Sequence, residues 1–517
     1  MEKTTVSSRE TVSKLPKKSS KVSPLQKLRQ IVAFVSLAIV TLLFLDFSGT
    51  IQQWFGWMAK IQFLPAVLAM NVFVIAGLII LTIIFGRLYC SVICPLGIMQ
   101  DIFAWFGKKA KKNRYSFSPA KNILRYVLLA VMVISICFGF GVIVALLAPY
   151  SAYGRIAQSL LAPIWQWGNN ILASWAEAHE SYAFYSTDIW IKGSITFAVA
   201  VATLLILGFL AWRNGRTYCN TICPVGTVLG FFSKFSYLKP VIDTSKCNSC
   251  GLCARNCKSA CINSKEHSID YSRCVTCFDC IGKCHKGAIA YKHLKLADTS
   301  ALPENNNIDS SRRQFLSVAG ILATSALIKA EEKTVDGGLA AIEDKKIPLR
   351  RTKIVPPGAL SINNLASHCT ACQLCVASCP NGVLRPSTDI DSLMQPESSY
   401  ERGYCRPECT RCSEVCPTGA IKLIDEADKS SIQIGHAVWV KANCIPLTDG
   451  VECGNCARHC PTGAITMVSS DKDNDEAPKI PVVNTEACIG CGACENLCPA
   501  RPFSAIYVEG HETHRII

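Results

Sequence analysis

The sequence predicts an α-helical membrane domain joined to small α+β domains, each organised around clustered cysteines. Three observations carry that expectation. Four long uncharged apolar runs fall within the first 215 residues. A twelve-residue motif holding two cysteines occurs twice in that region, 129 residues apart. Twenty-four of the 30 cysteines then form six groups of four along the rest of the 517-residue chain.

The membrane domain is expected at 29–235, behind a basic cytoplasmic tail at 1–28 that carries Lys14, Lys17, Lys18, Lys21 and Lys27. Its apolar runs lie at 29–47, 61–86, 126–148 and 193–212. Each approaches the roughly 20 residues a helix needs to cross the hydrocarbon core, so four transmembrane helices are expected. Asp46, closing the first run, reads as a helix-end residue at the interface. Lys and Arg mark cytoplasmic loops. The tail and the loop from Lys108 to Arg114 are strongly basic, which puts both on that side. The segments 48–60 and 149–192 carry few positive charges but hold Trp54, Trp57, Trp165, Trp167, Trp175 and Trp190, which suits the outer interface.

The repeated motif is Gly86-Arg-Leu-Tyr-Cys90-Ser-Val-Ile-Cys94-Pro-Leu-Gly97, recurring as Gly215-Arg-Thr-Tyr-Cys219-Asn-Thr-Ile-Cys223-Pro-Val-Gly226. Both copies follow a helix running from outside to inside, so the halves read as parallel two-helix repeats. Cys90, Cys94, Cys219 and Cys223 are therefore four thiols able to meet across a pseudo-twofold axis. Spacing leaves open whether they bind a metal, form redox disulfides or shape a quinone pocket. They are the candidate catalytic group.

Six further groups have iron–sulfur spacing. Cys247, Cys250, Cys253 and Cys257, then Cys274, Cys277, Cys280 and Cys284, fall in a segment expected at 240–295. Cys369, Cys372, Cys375, Cys379; Cys405, Cys409, Cys412, Cys416; Cys444, Cys453, Cys456, Cys460; and Cys488, Cys491, Cys494, Cys498 fall in a segment expected at 331–517. Three thiolates on a tight turn cap three corners of a [4Fe-4S] cubane, and the fourth cysteine ligates the partner cluster of a bacterial-type ferredoxin pair. Zinc ribbons space their knuckles much further apart. Proline follows Cys379, Cys416, Cys460 and Cys498, where its missing N–H helps the chain turn away. Lys258 and His285 stand in the corresponding places of the first pair, and Cys261 offers it an alternative thiol. Crossed sharing is expected there, Cys247, Cys250 and Cys253 with Cys284, and Cys274, Cys277 and Cys280 with Cys257. For the last four motifs, nested pairing (first with fourth, second with third) is favoured over sequential pairing. Cys137, inside an apolar run, reads as a packed residue.

The formal charge of +15 suggests anionic partners only until the clusters are counted. Each oxidised four-thiolate cubane carries about −2, which leaves a balance near +3 and removes the case for nucleic acid. No Gly-x-Gly-x-x-Gly opens a strand–helix unit and no histidine lies in the four apolar runs, so neither flavin nor bilayer-crossing haem is expected. The chemistry left is a wire of one-electron sites.

The helical part, with its duplicated Cys-x3-Cys-Pro motifs and following cluster pair, resembles the membrane H subunit of the Nap-type quinol dehydrogenase. Residues 311–510, with Arg312-Arg313, Pro356-Pro-Gly-Ala and four cluster motifs, resemble its G subunit, so the chain looks like a fusion of the two. The resemblance implies a multi-pass protein of the bacterial inner membrane with six [4Fe-4S] clusters. It would oxidise menaquinol or ubiquinol from the quinone pool and feed a periplasmic terminal reductase, in the family a molybdenum nitrate reductase. The other function implied by relatives is a polyferredoxin that assists maturation or regulation of a metalloenzyme. Tyr150, Ser151 and Arg155 are the candidate outer-face quinone contacts.

A linker at 296–310 leads to DSSRRQFLSVAG at 309–320, which resembles a twin-arginine export signal. The apolar core after Arg312-Arg313 is about 14 residues, short for a crossing and suited to a signal. An internal signal or anchor at 311–330 implies the twin-arginine translocase as a partner and a C-terminal unit in the periplasm. That route carries folded proteins, as clusters assembled in a reducing cytoplasm require.

Overall fold

The computed structural model describes residues 23–46, 48–110, 115–181, 183–293, 335–336, 340–341, 343–471, 474 and 477–517. The linker and the twin-arginine segment lie outside the described residues.

Helix α1 (Pro24–Leu45) starts where the Ser23 hydroxyl accepts the Gln26 N–H at 3.3 Å and Pro24 fills the first turn. Its 22 residues span about 33 Å at 1.5 Å per residue. Asp46 ends it and starts the next helix, α2 (Thr50–Phe55). The Asp46 carboxylate accepts the N–H groups of Ser48, Gly49, Ile51 and Gln52 at 2.8–3.2 Å. Helix-start donors that would otherwise be orphaned are thereby satisfied.

The chain continues through α3 (Trp57–Lys60), α4 (Phe63–Leu68), α5 (Val72–Phe85), α6 (Tyr89–Val92), α7 (Pro95–Lys109), α8 (Asn122–Cys137) and α9 (Gly141–Leu147). Then come α10 (Pro149–Ile156), a π-helical turn, α11 (Ala162–Glu177), α12 (Ser194–Asn214), α13 (Thr217–Thr221) and α14 (Pro224–Ser233). Among the described residues two helices, α1 and α12, are long and apolar enough to cross a membrane. Of the four apolar runs expected to cross, two form such helices and the other two are interrupted. The run 61–86 breaks into α4 and α5 at Met70, which adopts φ 52°, and at Asn71, whose side chain caps Val74. The run 126–148 breaks at Gly139, with φ 75°. A continuous apolar composition does not reveal a left-handed residue within it.

Residues 238–293 form the first cysteine-rich unit. Leu238–Ile242 pairs antiparallel with Ile289–His293, and Ile262–Asn263 with Ser268–Ile269. It packs beside the start of α1, where Gln26 Nε2 donates to Asp279 Oδ1 at 2.8 Å. The end of α5 is tied to it as well, since Phe85 O accepts from Thr276 Oγ1 at 3.2 Å and Tyr291 OH at 3.0 Å.

Residues 343–517 form the second unit, with antiparallel pairs Leu384–Pro386 with Pro396–Ser398, Ile432–Trp439 with Ile506–Ile516, and Ile465–Ser469 with Lys479–Val483. It packs beyond the other end of α1. Arg411 Nη2 donates to Ser48 O at 2.8 Å, Gln52 bonds Ser378, and Lys192 Nζ donates to Val376 O at 2.6 Å. The two units thus cap opposite ends of one 22-residue helix. A single apolar core runs between them, from Val275 through Leu229, Tyr218, Tyr150 and Phe44 to Cys372 and Val415.

The second contact is close enough to test. A Cβ on Gly154 of α10 would stand 2.2 Å from Cys372 O and 2.9 Å from the Phe44 ring. Gly154→Val is expected to destabilise the docking of the second unit by about 1–3 kcal/mol, the usual cost of overpacking. Thermal unfolding in detergent would register this as an early loss of second-unit signals, with the first unit unchanged.

Candidate iron–sulfur relay

The regular cysteine motifs share a local backbone that explains their spacing. Residues on both sides of the second cysteine have positive φ: Ser249 and Gly251, Thr276 and Phe278, Ala371 and Gln373, Gly490 and Gly492. Two left-handed residues flanking one cysteine fold the three thiols of each motif onto one side of a tight turn. Burial pushes the Cys372 and Cys491 thiols up to about 12 and Cys456 to about 11. Such thiols stay protonated until a metal takes the proton's place. Backbone N–H groups aim at sulfur, Ala288 at Cys284 (3.2 Å), Ala505 at Cys498 (3.3 Å) and Ile421 at Cys416 (3.4 Å). Hydrogen bonds of this kind tune cluster potential.

The second unit pairs its motifs sequentially, which corrects the nested expectation. Cys416 joins Cys369, Cys372 and Cys375 around one cavity, and Cys379 lies within electrostatic reach of Cys405 and Cys412. Likewise Cys498 accompanies Cys444 and Cys456, and Cys460 accompanies Cys488 and Cys491. Irregular spacing made the two middle motifs look like partners, but the chain brings each consecutive pair together instead. Cys379→Ala and Cys412→Ala are therefore expected to remove the same EPR signal, and Cys491→Ala a different one. Nested pairing would group Cys379 with Cys491.

In the first unit, Cys257 lines a cavity with Cys274, Cys277 and Cys280, as the crossed scheme requires. Cys261 lines it too, its Sγ 3.5 Å from that of Cys257. Lys258, standing where proline was expected, is buried and paired with Asp101 at 3.2 Å and Asp279 at 3.1 Å. The departure from the motif thus serves the joint with the membrane helices.

Between the two units lie Cys90, Cys94, Cys219 and Cys223, all buried and within electrostatic reach of one another. Each repeat's arginine crosses to the other repeat. Arg87 Nη2 donates to Cys219 O at 3.1 Å, and Arg216 Nη1 donates to Cys90 O at 2.6 Å. The second glycine of each motif makes room for this crossing. A Cβ at Gly97 would stand 2.3 Å from Cys90 O, and one at Gly226 would stand 2.3 Å from Cys219 O. Cys94 and Cys223 then precede Pro95 and Pro224 as N-caps of α7 and α14. The sequence displayed the repeat but not the exchange of arginines, because a buried guanidinium leaves no hydropathy signature. The duplicated Gly-Arg pair was the available signal.

Contacts lead from this group in both directions. Toward the first unit, Arg87 Nη1 donates to Ser272 O at 3.0 Å and Asn220 Nδ2 to Ser259 O at 3.1 Å. Toward the second, Tyr218 lies within electrostatic reach of Arg155, and Arg155 within reach of Cys372. Tyr150, Ser151 and Arg155 are at most 2% exposed. The structure therefore places them not on an open outer face but sealed beneath the second unit. Arg155 Nη1 donates to Ala145 O at 2.8 Å, while the Tyr150 hydroxyl, the Ser151 hydroxyl and Arg155 Nε have no partner. Cys137 is exposed on α8 and joins no cysteine group.

Comparisons with known proteins support iron–sulfur binding. The family described as "4Fe-4S binding domain" matches residues 67–114 and 195–240, the two stretches around the Cys-x3-Cys-Pro motifs. The family described as "4Fe-4S dicluster domain" matches 451–501. The ferredoxin-type protein NapG of Escherichia coli is 33% identical over 180 residues, covering 31% of this chain and 75% of that protein. The methylamine utilization ferredoxin-type protein MauM of Paracoccus denitrificans is 32% identical over 187 residues, covering 35% and 77%. The ferredoxin-type protein NapH of Escherichia coli is 26% identical over 199 residues, covering 38% and 55%. No solved structure matches. The chain is an iron–sulfur electron-transfer protein.

Proposed function

We propose that this chain, which belongs to the family of ferredoxin-type proteins that includes NapG and MauM, oxidises a membrane quinol and passes the electrons across the bilayer to a reductase on the far side. The observation that carries this reading is the pair of cysteine-rich units capping opposite ends of α1, joined by one buried core.

In this reading the segments 29–47, 61–86, 126–148 and 193–212 make four passes, two of them by broken helices, and the basic tail and the Lys108 loop face the cytoplasm. The first unit is then cytoplasmic and the second periplasmic, delivered past the Arg312-Arg313 signal with its clusters in place. The six quartets hold [4Fe-4S] clusters, which supply single-electron storage at each stop. Quinol gives up two electrons and two protons and leaves as quinone. The chain's own task is to accept those electrons singly and keep them from water. The sealed packing of Cys90, Cys94, Cys219 and Cys223 and of Tyr218 and Arg155 suits that task. Arg87, Arg155 and Arg216 put fixed positive charge beside the route, which stabilises an added electron. The similarity to NapG and NapH supports a periplasmic reductase as acceptor, with a molybdenum nitrate reductase the first to try.

The test uses the full chain in lipid nanodiscs. Menaquinol or ubiquinol analogues are expected to bleach the cluster absorbance within seconds. A preparation that dithionite reduces fully and no quinol reduces would overturn the proposal.

A further inference from the structure

We infer that quinol is oxidised in a cavity between α1, α7 and the first cysteine-rich unit, and not at the sealed Tyr150 and Arg155 end. The inference rests on the quinol reading above and adds the site. The cavity measures about 340 Å³, within the range of about 300–1,000 Å³ typical of small-molecule sites. That volume admits a substituted quinone ring and the first part of its prenyl tail.

The lining is divided in the way such a ligand demands. One side is built from Phe34, Ile102 and Trp105, large apolar residues that are exposed on the helix surfaces and so face lipid. The other is built from Arg29, Lys258 and Asp279. A prenyl chain enters along the first side from the bilayer, and the ring oxygens meet the second. Arg29 donates through Nη1 to Asp101 at 2.8 Å and to Ser91 O at 3.3 Å, which fixes its guanidinium in the polar wall.

Position relative to the wire is the stronger argument. Lys258 follows Cys257 directly in the chain and Asp279 precedes Cys280, so the polar wall is the outer skin of one cysteine quartet. A ring held against that wall lies one residue from two proposed cluster ligands. Each quinol oxidised there breaks two phenolic O–H bonds. Cys257, Cys274, Cys277 and Cys280, which line one cavity, would hold the one-electron acceptor that takes the quinol's two electrons singly. The two protons leave to water at the same end of the helices, and quinone returns to the bilayer. The electrons would then cross the buried core that holds Cys90, Cys94, Cys219 and Cys223 to reach the second unit.

Filling the cavity tests the site. Gln30 is exposed and lines it, as does Ile102, so Gln30→Trp and Ile102→Trp add bulk where little packing is disturbed. In nanodiscs, both variants are expected to slow cluster reduction by quinol at least tenfold while full reduction by dithionite is retained. Wild type and variants reduced equally fast by quinol would overturn the site and leave the quinol reading intact. A wild type that quinol does not reduce would remove that reading itself. Photolabelling of wild type with an azidoquinone provides a second arm that needs no variant. Label on α1 and α7 peptides, displaced by quinol, supports the site. Label on the Tyr150–Arg155 peptide, or a tightly held phospholipid on α1 and α7 that quinol fails to displace, overturns it.

Discussion

Asp101→Asn is expected to destabilise the chain by at least about 3–5 kcal/mol, the usual cost of leaving a buried charge unpaired. One carboxylate here serves three cations. Arg216 Nε lies 2.7 Å from it, Arg29 Nη1 2.8 Å and Lys258 Nζ 3.2 Å, with every partner at least nine-tenths buried at its side chain. The three come from α1, from the Cys219 motif and from the first cysteine-rich unit, so Asp101 is where helices and unit are pinned together. Asparagine keeps the shape but leaves a surplus of buried positive charge, with Lys258 retaining Asp279 at 3.1 Å. The expected result in detergent is a large fall in unfolding temperature and undocking of the first unit, read as new protease cleavage between 235 and 245. Asp101→Glu, which keeps the charge, should lose much less. A full-strength Asp101→Asn protein would mean that water reaches this cluster of charges.

Replacing Cys219 and Cys223 by serine is expected to divide the wire. Serine preserves the size of the side chain and the Pro224 turn but removes the soft donor that would hold a metal there. The two cysteine-rich units, with their clusters loaded, should each remain reducible by dithionite. Quinol should then reduce the first unit alone, and electron delivery to any acceptor at the second unit should fall to background. EPR after quinol addition separates the two populations. Reduction of both units at the wild-type rate would show that electrons pass around the four thiols. Cys90→Ser with Cys94→Ser should give the same division, because the crossing arginines make one group of the two motifs.

The cysteine quartets were legible in sequence because cluster ligation is local: three thiols, one turn, fixed spacing. The doubled Gly-Arg-x-Tyr-Cys motif was legible for the same reason, as were α1 and α12 from continuous apolar runs. Features that depend on distant partners were not. Nothing adjacent to Met70 announces a left-handed residue, so the run 61–86 read as a single helix. Motif pairing depends on how a lobe closes rather than on spacing, and Cys379 finds Cys405 and Cys412 only in three dimensions. Tyr150, Ser151 and Arg155 looked like an open surface, because burial by a separate unit cannot be read from the residues it covers. Lys258 read as a lapse from the proline pattern until its two carboxylates were located.

The crossed arginines have a consequence for how such a chain can be divided. Arg87 ends on the backbone of Cys219 and Arg216 on that of Cys90, so each half of the duplicated core closes its partner's turn. A fragment ending between the repeats would hold a buried guanidinium without acceptors, and the other fragment would lack the donor that closes its own cysteine turn. Two such fragments could live only as an obligate pair, made together and degraded apart.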